Sequence, residues 1–210
     1  MDMNERINTL LLPARMLIVA IAVAFAAPGL VAQGATGPQN IARGKSYIFS
    51  ANPNYSHCTD DGDKTDLTDG VVFTKQDSLW AYKSSVGWSA RRRPVHITID
   101  LGTIEPIRGA SFHTAAGEVG VNWPTTIAIQ VSEDNAAYYW AGDLVRLDEN
   151  TPPKAYEGYF HHTYRTEKLR TRGRYIRFEI AAPGEYIFVD EIEVYRGDNS
   201  LLETKYTGDP

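Results

Sequence analysis

The 210-residue chain contains one cysteine, Cys58, so no disulfide can form within it. A chain without that cross-link has to be held by its apolar core, by a bound metal, or by both. No CxxC pair and no Cys/His zinc spacing occurs. Excess positive charge is also missing: 21 Lys and Arg stand against 26 Asp and Glu, a formal net charge of −5. That argues against nucleic acid as a partner, because displacing counterions from phosphates needs a basic face. The one basic run, Arg91, Arg92 and Arg93, is cut short by Pro94 and reads as a solvated loop.

Long hydrophobic runs are scarce. "MLIVAIAVAFAA" at 16–27 is too short for a membrane span. It follows Arg6 and Arg15 and leads into the small residues of "PGLVAQGA", which is the layout of a signal peptide. We expect residues 1–32 to be removed after Ala32, with a linker over 33–39. A secreted, periplasmic or cell-surface protein with no membrane span after cleavage is the corresponding expectation. Helical periodicity is nearly absent too, hinted at only in "TYRTEKLRTRG" (163–173), which reads equally well as strand and loop.

Short alternating segments fill the space. "HITIDLG" (96–102) sets Ile97, Ile99 and Leu101 on one face. "TIAIQVS" (126–132) does so with Ile127, Ile129 and Val131, and "RYIRFEI" (174–180) with Ile176, Phe178 and Ile180. "DEIEVY" (190–195) buries Ile192 and Val194. A period of two with one covered face is the mark of antiparallel strands, and several of them without sustained helix predict an all-β sandwich over 40–197. The pattern dissolves after residue 197, so 198–210 reads as a loose tail.

The order of elements carries more information than any one of them. "NIARGKSY", "LTDG", a Trp, "ITIDLG", "ASFHT", "IAIQVSEDNAAYYW", "RYIRFEI" and "DEIEVY" follow one another. In this order the chain resembles the discoidin, or coagulation factor 5/8 type C, domain, which overlaps the family 32 carbohydrate-binding modules. The resemblance implies a galactose-binding-like jelly roll of two antiparallel sheets. It also implies a structural calcium ion held early in the chain and closed by a glutamate on the last strand. Carried onto this sequence, the ligands are the Leu67 carbonyl and the Asp69 carboxylate of "LTDG", Thr74, and Glu191, with Glu193 as the competitor on the same outward face.

The rest of the acidic stretch "TDDGDKTDLTDG" (59–70) is open. An EF-hand does not fit, because counting from Asp60 or Asp61 puts neither Gly at the sixth place nor Glu at the twelfth. Asp60, Asp61, Asp63 and Asp66 read as a solvated turn capping its own backbone, as a second calcium ligand set, or as contacts to sugar hydroxyls.

Sugar recognition needs a flat ring against the C–H face and planar polar groups for the hydroxyls. The ligand-facing candidates are Tyr55 in the first variable loop, Tyr82, Trp88 in a Gly/Ser-rich segment, His113 before a glycine-containing loop, Trp123, and Tyr186. Arg108 and Glu118 flank His113, and Phe188 accompanies Tyr186. Trp80 is weighed as core against ligand, and His161 with His162 as a solvated pair against a metal site.

No GxSxG, HExxH, GxGxxG or P-loop occurs, so no enzyme is expected. The leading expectation is an exported, non-catalytic module that binds carbohydrate through loops at one end of the sandwich. The alternatives are an adhesion or scaffold module for a protein or lipid surface, with Trp88 beside the arginine run as its one candidate spike, or an accessory domain of a glycan-degrading enzyme. Cell-surface or glycan-active proteins are the corresponding partners.

Overall fold

A computed structural model describes residues 37–89 and 95–206. The expected signal peptide, most of the linker and the arginine run lie outside the described residues.

Eight antiparallel strands dominate: β1 (Tyr47–Phe49), β2 (Val86–Ser89), β3 (Val95–Gly117), β4 (Thr126–Ser132), β5 (Tyr139–Asp143), β6 (Tyr159–Thr166), β7 (Thr171–Ala181) and β8 (Tyr186–Arg196). A single helical turn, α1 (Leu144–Leu147), follows β5 and is capped by the Asp143 carboxylate, which accepts from the Val145 amide. The "TYRTEKLRTRG" segment resolves into the end of β6, a turn, and the start of β7.

The organising element is β3. Its first half pairs with β1 and β7, as in Ile97 opposite Phe49 and Phe178. Its second half pairs with β6 and β8, as in Phe112 opposite Tyr164 and Ile192. The register with β7 slips between Asp100 and Glu105, where Gly102 takes φ +89°. The two expected sheets are therefore one hydrogen-bonded surface folded over through β3, with β2 extending β8, and with β4 and β5 extending β7. At Gly109 the strand passes so close to β6 that a Cβ would stand 2.1 Å from the Thr166 carbonyl oxygen, so only glycine fits.

The core lies inside this fold-over. Ile97, Ile99, Ile127, Ile129, Val131, Ile176, Phe178 and Ile180 point in from one side, and Phe112, Val189, Ile192 and Val194 from the other. Phe112 and Phe178 meet across the layers with ring centroids 6.2 Å apart. A second apolar cluster of Cys58, Phe73, Leu79, Trp80, Ala115, Val121 and Phe188 sits apart from it, under the loops. Cys58 is a buried free thiol, pushed up to about 11 by burial, and serves as packing.

The start of the expected loose tail is docked. Residues 199–203 form a 3-10 turn, and Tyr206 stacks on Tyr139 at 4.2 Å with planes 7° apart. Arg172 Nε donates to the Thr204 carbonyl at 3.1 Å, and the Tyr206 hydroxyl donates to Glu133 at 2.9 Å. Sequence pattern missed this because aromatic stacking and a charge clasp hold the segment, and neither has a period.

Candidate functional site

The loops at the β3 C-terminus, the β6 start and the β8 start meet at one end of the layer formed by β6, the second half of β3, and β8. Glu118 N donates to the Gly158 carbonyl at 3.1 Å, and Val121 bridges to Tyr186. The loop after β1 joins them through the Asn54 and Tyr55 amides, both bonded to the Gly87 carbonyl. Gly184 lets its loop lie against this end, since a Cβ there would come within 2.5 Å of the Gly120 carbonyl oxygen.

Two of the expected ligand residues come together here. Tyr55 and Tyr186 are half-buried, 5.4 Å apart and nearly perpendicular, and both rest on buried Phe188. His57 packs beside Tyr55 at 5.5 Å, and Trp80 lies against Phe188 and Tyr159. Phe188 and Trp80 are thus the bed of the platform and not its surface. Tyr156, 81% exposed, stands just before Tyr159 on the adjoining loop.

The other expected ligand residues lie elsewhere. Trp88 is fully buried on β2, with its Nε1 donating to the Ala51 carbonyl at 2.8 Å and its ring edge-on to Phe49. Its Gly and Ser neighbours suggested a loop, but Gly87 is present because a Cβ would strike Phe188 and Cys58. Trp88 is therefore a core residue and offers no surface spike. His113 is buried as well, with Nδ1 2.5 Å from Asp190 Oδ1. Trp123 is half-buried against His162 and Tyr164, its Nε1 donating to the Pro153 carbonyl. Tyr82 is half-buried too; its hydroxyl donates to Asp77 Oδ2 at 2.6 Å, and Lys75 covers its ring. Arg108 pairs with Glu167 at 3.1 Å, and Glu118 is exposed.

The histidines form internal contacts. His161 Nε2 bonds the Asp77 carbonyl at 2.8 Å and its ring packs against Phe73 and His113. Burial pushes its pKa down, favouring the neutral ring. His162 Nε2 is held by Asp148 Oδ2 at 2.7 Å. Neither is a solvated pair, because β6 turns them to opposite sides. The Asp190–His113 pair resembles part of a catalytic triad. Asp190 also accepts from the Phe73 amide at 2.6 Å, however, and both side chains are shut away from solvent. It buttresses the interior.

Trp140, on edge strand β5, is not among the ligand-facing residues expected from the sequence. It is half exposed and lines a groove of about 460 Å³ with Thr126, Asp143, Arg146, Leu147 and Lys168. Its context "AAYYWAGD" has three aromatic residues in a row and no alternation, so only the strand order reveals an edge.

The expected calcium ligands converge in part. Gly70, at φ +79°, turns its amide onto Glu191 Oε2 at 3.1 Å. Glu191 is only 2% exposed, and its Oε1 has no hydrogen-bond partner. Burial raises its pKa to about 8, with the charges of Asp69, Glu193 and Asp190 adding to the rise. A buried carboxylate in this condition favours a cation beside it. Leu67 is buried in the same turn, its amide accepted by the Tyr47 hydroxyl. Asp69 is exposed, and its Oδ1 accepts from the Val71 amide. Thr74 is exposed on the following loop. The orphaned, buried Glu191 oxygen, with the Asp69 charge near it, suits an oxygen-preferring divalent ion.

Upstream, Asp60 caps the 3-10 turn of Asp61–Lys64 by accepting from the Gly62 amide at 2.7 Å, as expected of a turn residue. Asp61 is exposed beside Lys64. Asp63 and Asp66 depart from the solvated-turn reading: burial, with neighbouring carboxylates, raises both to about 6.

No family model and no curated protein matches the chain. Solved structures similar to it include the module CpGH89CBM32-6 produced by Clostridium perfringens, at 18% identity, covering 76% of this chain and 100% of that one with a TM-score of 0.46. A Streptococcus pneumoniae fucose binding module matches at 15% identity over 78% of this chain and 99% of that one, with a TM-score of 0.47. Chitosan-binding module 2 of a Paenibacillus sp. IK-5 chitosanase/glucanase, in complex with chitotriose, matches at 19% identity over 74% and 99%, with a TM-score of 0.42. The first is a CBM32 module, the group that the sequence resembles. The fold rests on the strand pairing itself.

Proposed function

We propose that this chain is an exported, non-catalytic carbohydrate-binding module that holds a glycan on the Tyr55–Tyr186 platform and keeps a structural calcium ion at Leu67, Asp69 and Glu191. The observation that carries the reading is the platform: two half-exposed rings seated on a buried aromatic bed and ringed by loops bonded to one another. Rigid rings lose little entropy on contact and offer apolar faces to a pyranose, while His57 and the loop backbone supply hydrogen bonds. The calcium ion, coordinated by oxygens, would tie the turn of residues 67–70 to the last strand; no water is activated there. The interior Asp190–His113 pair has no access to a substrate, which supports a binding role over a catalytic one.

Trp140 favours a second location for the same function, the β5 groove, where Arg146, paired with Asp143, and Lys168, paired with Glu149, supply polar groups beside the ring. A glycan array probed with the full chain in calcium, and again in chelator, separates the cases. Tyr55→Ala and Tyr186→Ala should each weaken binding at least about tenfold, the scale of one lost stacking ring, with Trp140→Ala unaffected. Loss confined to Trp140→Ala would move the site to the groove. Silence on every glycan would overturn the reading and leave adhesion to a protein or lipid surface.

A further inference from the structure

The acidic turn before the Glu191 site has its own unsatisfied interior. A carboxylate oxygen from each of Asp60, Asp63 and Asp66 lies within 4.8 Å of the other two. Acid clusters alone are ordinary on protein surfaces, and Asp60 is indeed exposed. Asp63 is not: it is 6% exposed, and although its carboxylate accepts from the Asp60 backbone, its buried Oδ1 is unpartnered. Asp66 Oδ2 is likewise buried and unpartnered. A buried carboxylate is costly unless paired or bound to a cation.

The chain does not supply that cation among the described residues. No salt bridge reaches Asp60, Asp63 or Asp66, since Lys64 pairs with Asp61. Lys83, whose charge Asp63 feels, commits its ammonium to the Thr59 carbonyl at 3.0 Å. The local backbone is nevertheless held firmly. The Tyr47 hydroxyl donates to the Asp63 carbonyl at 2.8 Å and accepts from the Leu67 amide at 3.1 Å, so two successive turns hang on one side chain. Gly62 is needed because a Cβ would stand 2.9 Å from oxygens of both Asp60 and Asp66. The turn is therefore shaped to bring carboxylates together, against their repulsion.

We infer that Asp60, Asp63 and Asp66 form a second cation site that takes calcium or a similar hard divalent ion, separate from the one proposed at Asp69 and Glu191. Three carboxylates with no nitrogen or sulfur donor suit an oxygen-preferring ion, and a flexible coordination shell completed by water suits calcium. Bound there, the ion would neutralise the buried Asp63 charge and lock the loop that leads into the Glu191 turn.

Calcium binding to the full chain, measured by calorimetric titration, tests this. Asp60→Asn keeps an N-cap side chain of equal quality, so it leaves the turn folded while removing one ligand charge. It should weaken one calcium equivalent at least about tenfold, a loss of one charge-assisted ligand, and Asp63→Asn should abolish that equivalent. Glu191→Gln should leave the same equivalent intact, whether or not it removes another. Because Asp63→Asn relieves repulsion, it should melt no lower than the unchanged chain in chelator yet lose its share of the calcium-induced rise. If Asp60→Asn and Asp63→Asn bind calcium in the same number and strength as the unchanged chain, the site does not exist. A chain whose only calcium is lost in Glu191→Gln would overturn it equally, while leaving the first site standing.

Discussion

Glu191 and Glu193 sit two residues apart on β8, yet their carboxylates have opposite fates. Glu193 is satisfied: the Tyr195 hydroxyl donates to it at 2.7 Å and the Ser111 hydroxyl at 3.1 Å. Glu191 receives only the Gly70 amide and keeps an orphaned, buried oxygen. Spacing made them equivalent competitors for a cation; partners distinguish them. In chelator, Glu191 stays protonated in the folded chain up to about pH 8, whereas in the unfolded chain it ionises near the ordinary carboxylate value. Between those limits the folded form holds a proton that the unfolded form has released. Stability contributed by that proton is complete below the unfolded pKa and is lost as pH rises toward 8, by at most about 1.4 kcal/mol per pH unit. Urea midpoints of the full chain in chelator should therefore fall from pH 5 to pH 8.5, and Glu191→Gln should flatten that slope. Equal slopes in the two proteins would show that this carboxyl is ionised throughout. Calcium, which needs the carboxylate, should raise the midpoint more at pH 8 than at pH 5.

At the scale of elements, strands that alternate cleanly were readable and those buried on both sides were not. Residues 96–101 of β3 show period two because His96 and Asp100 on one face stay partly exposed while Ile97, Ile99 and Leu101 on the other are buried. From Gly109 to Ala116 the same strand is buried at every position, as it passes between β6 and β8, and the alternation disappears. His113 and Trp88 were both misplaced for that reason: each lies where a strand runs through the interior, so a polar or loop-like sequence context misled. The candidate platform was legible in Tyr55 and Tyr186, which flank turns, whereas Trp140 needed the strand order. The terminal segment makes a further prediction. Tyr206→Ala removes a stacked ring pair, the cation–π contact from Arg172 at 5.1 Å and the bond to Glu133. It should cost about 1–2 kcal/mol in a urea titration, of which Tyr206→Phe should lose only the hydrogen-bond share of about 1 kcal/mol or less. An unchanged midpoint in Tyr206→Ala would mean that the segment adds nothing to the fold.

For the described domain, the consequence of β3 is that neither sheet can come apart alone. The strand pairs with β1 and β7 at one end and with β6 and β8 at the other, so separating the layers breaks a single continuous backbone ladder. Phe112 belongs to the second half and Phe178 to the strand beside the first, and the two rings meet in the middle of the core. Loss of either ring should be felt by the whole domain. Phe112→Ala and Phe178→Ala should each lower stability by about 3–5 kcal/mol, the range for emptying a buried aromatic site. Because the rings share one space, the double variant should cost less than the sum, with a coupling of about 0.5–3 kcal/mol. Every variant should still unfold in one transition, coincident by tryptophan fluorescence and far-ultraviolet circular dichroism. Two separated transitions, one shifted by Phe112→Ala and the other by Phe178→Ala, would instead mean that β3 is a hinge between independent layers.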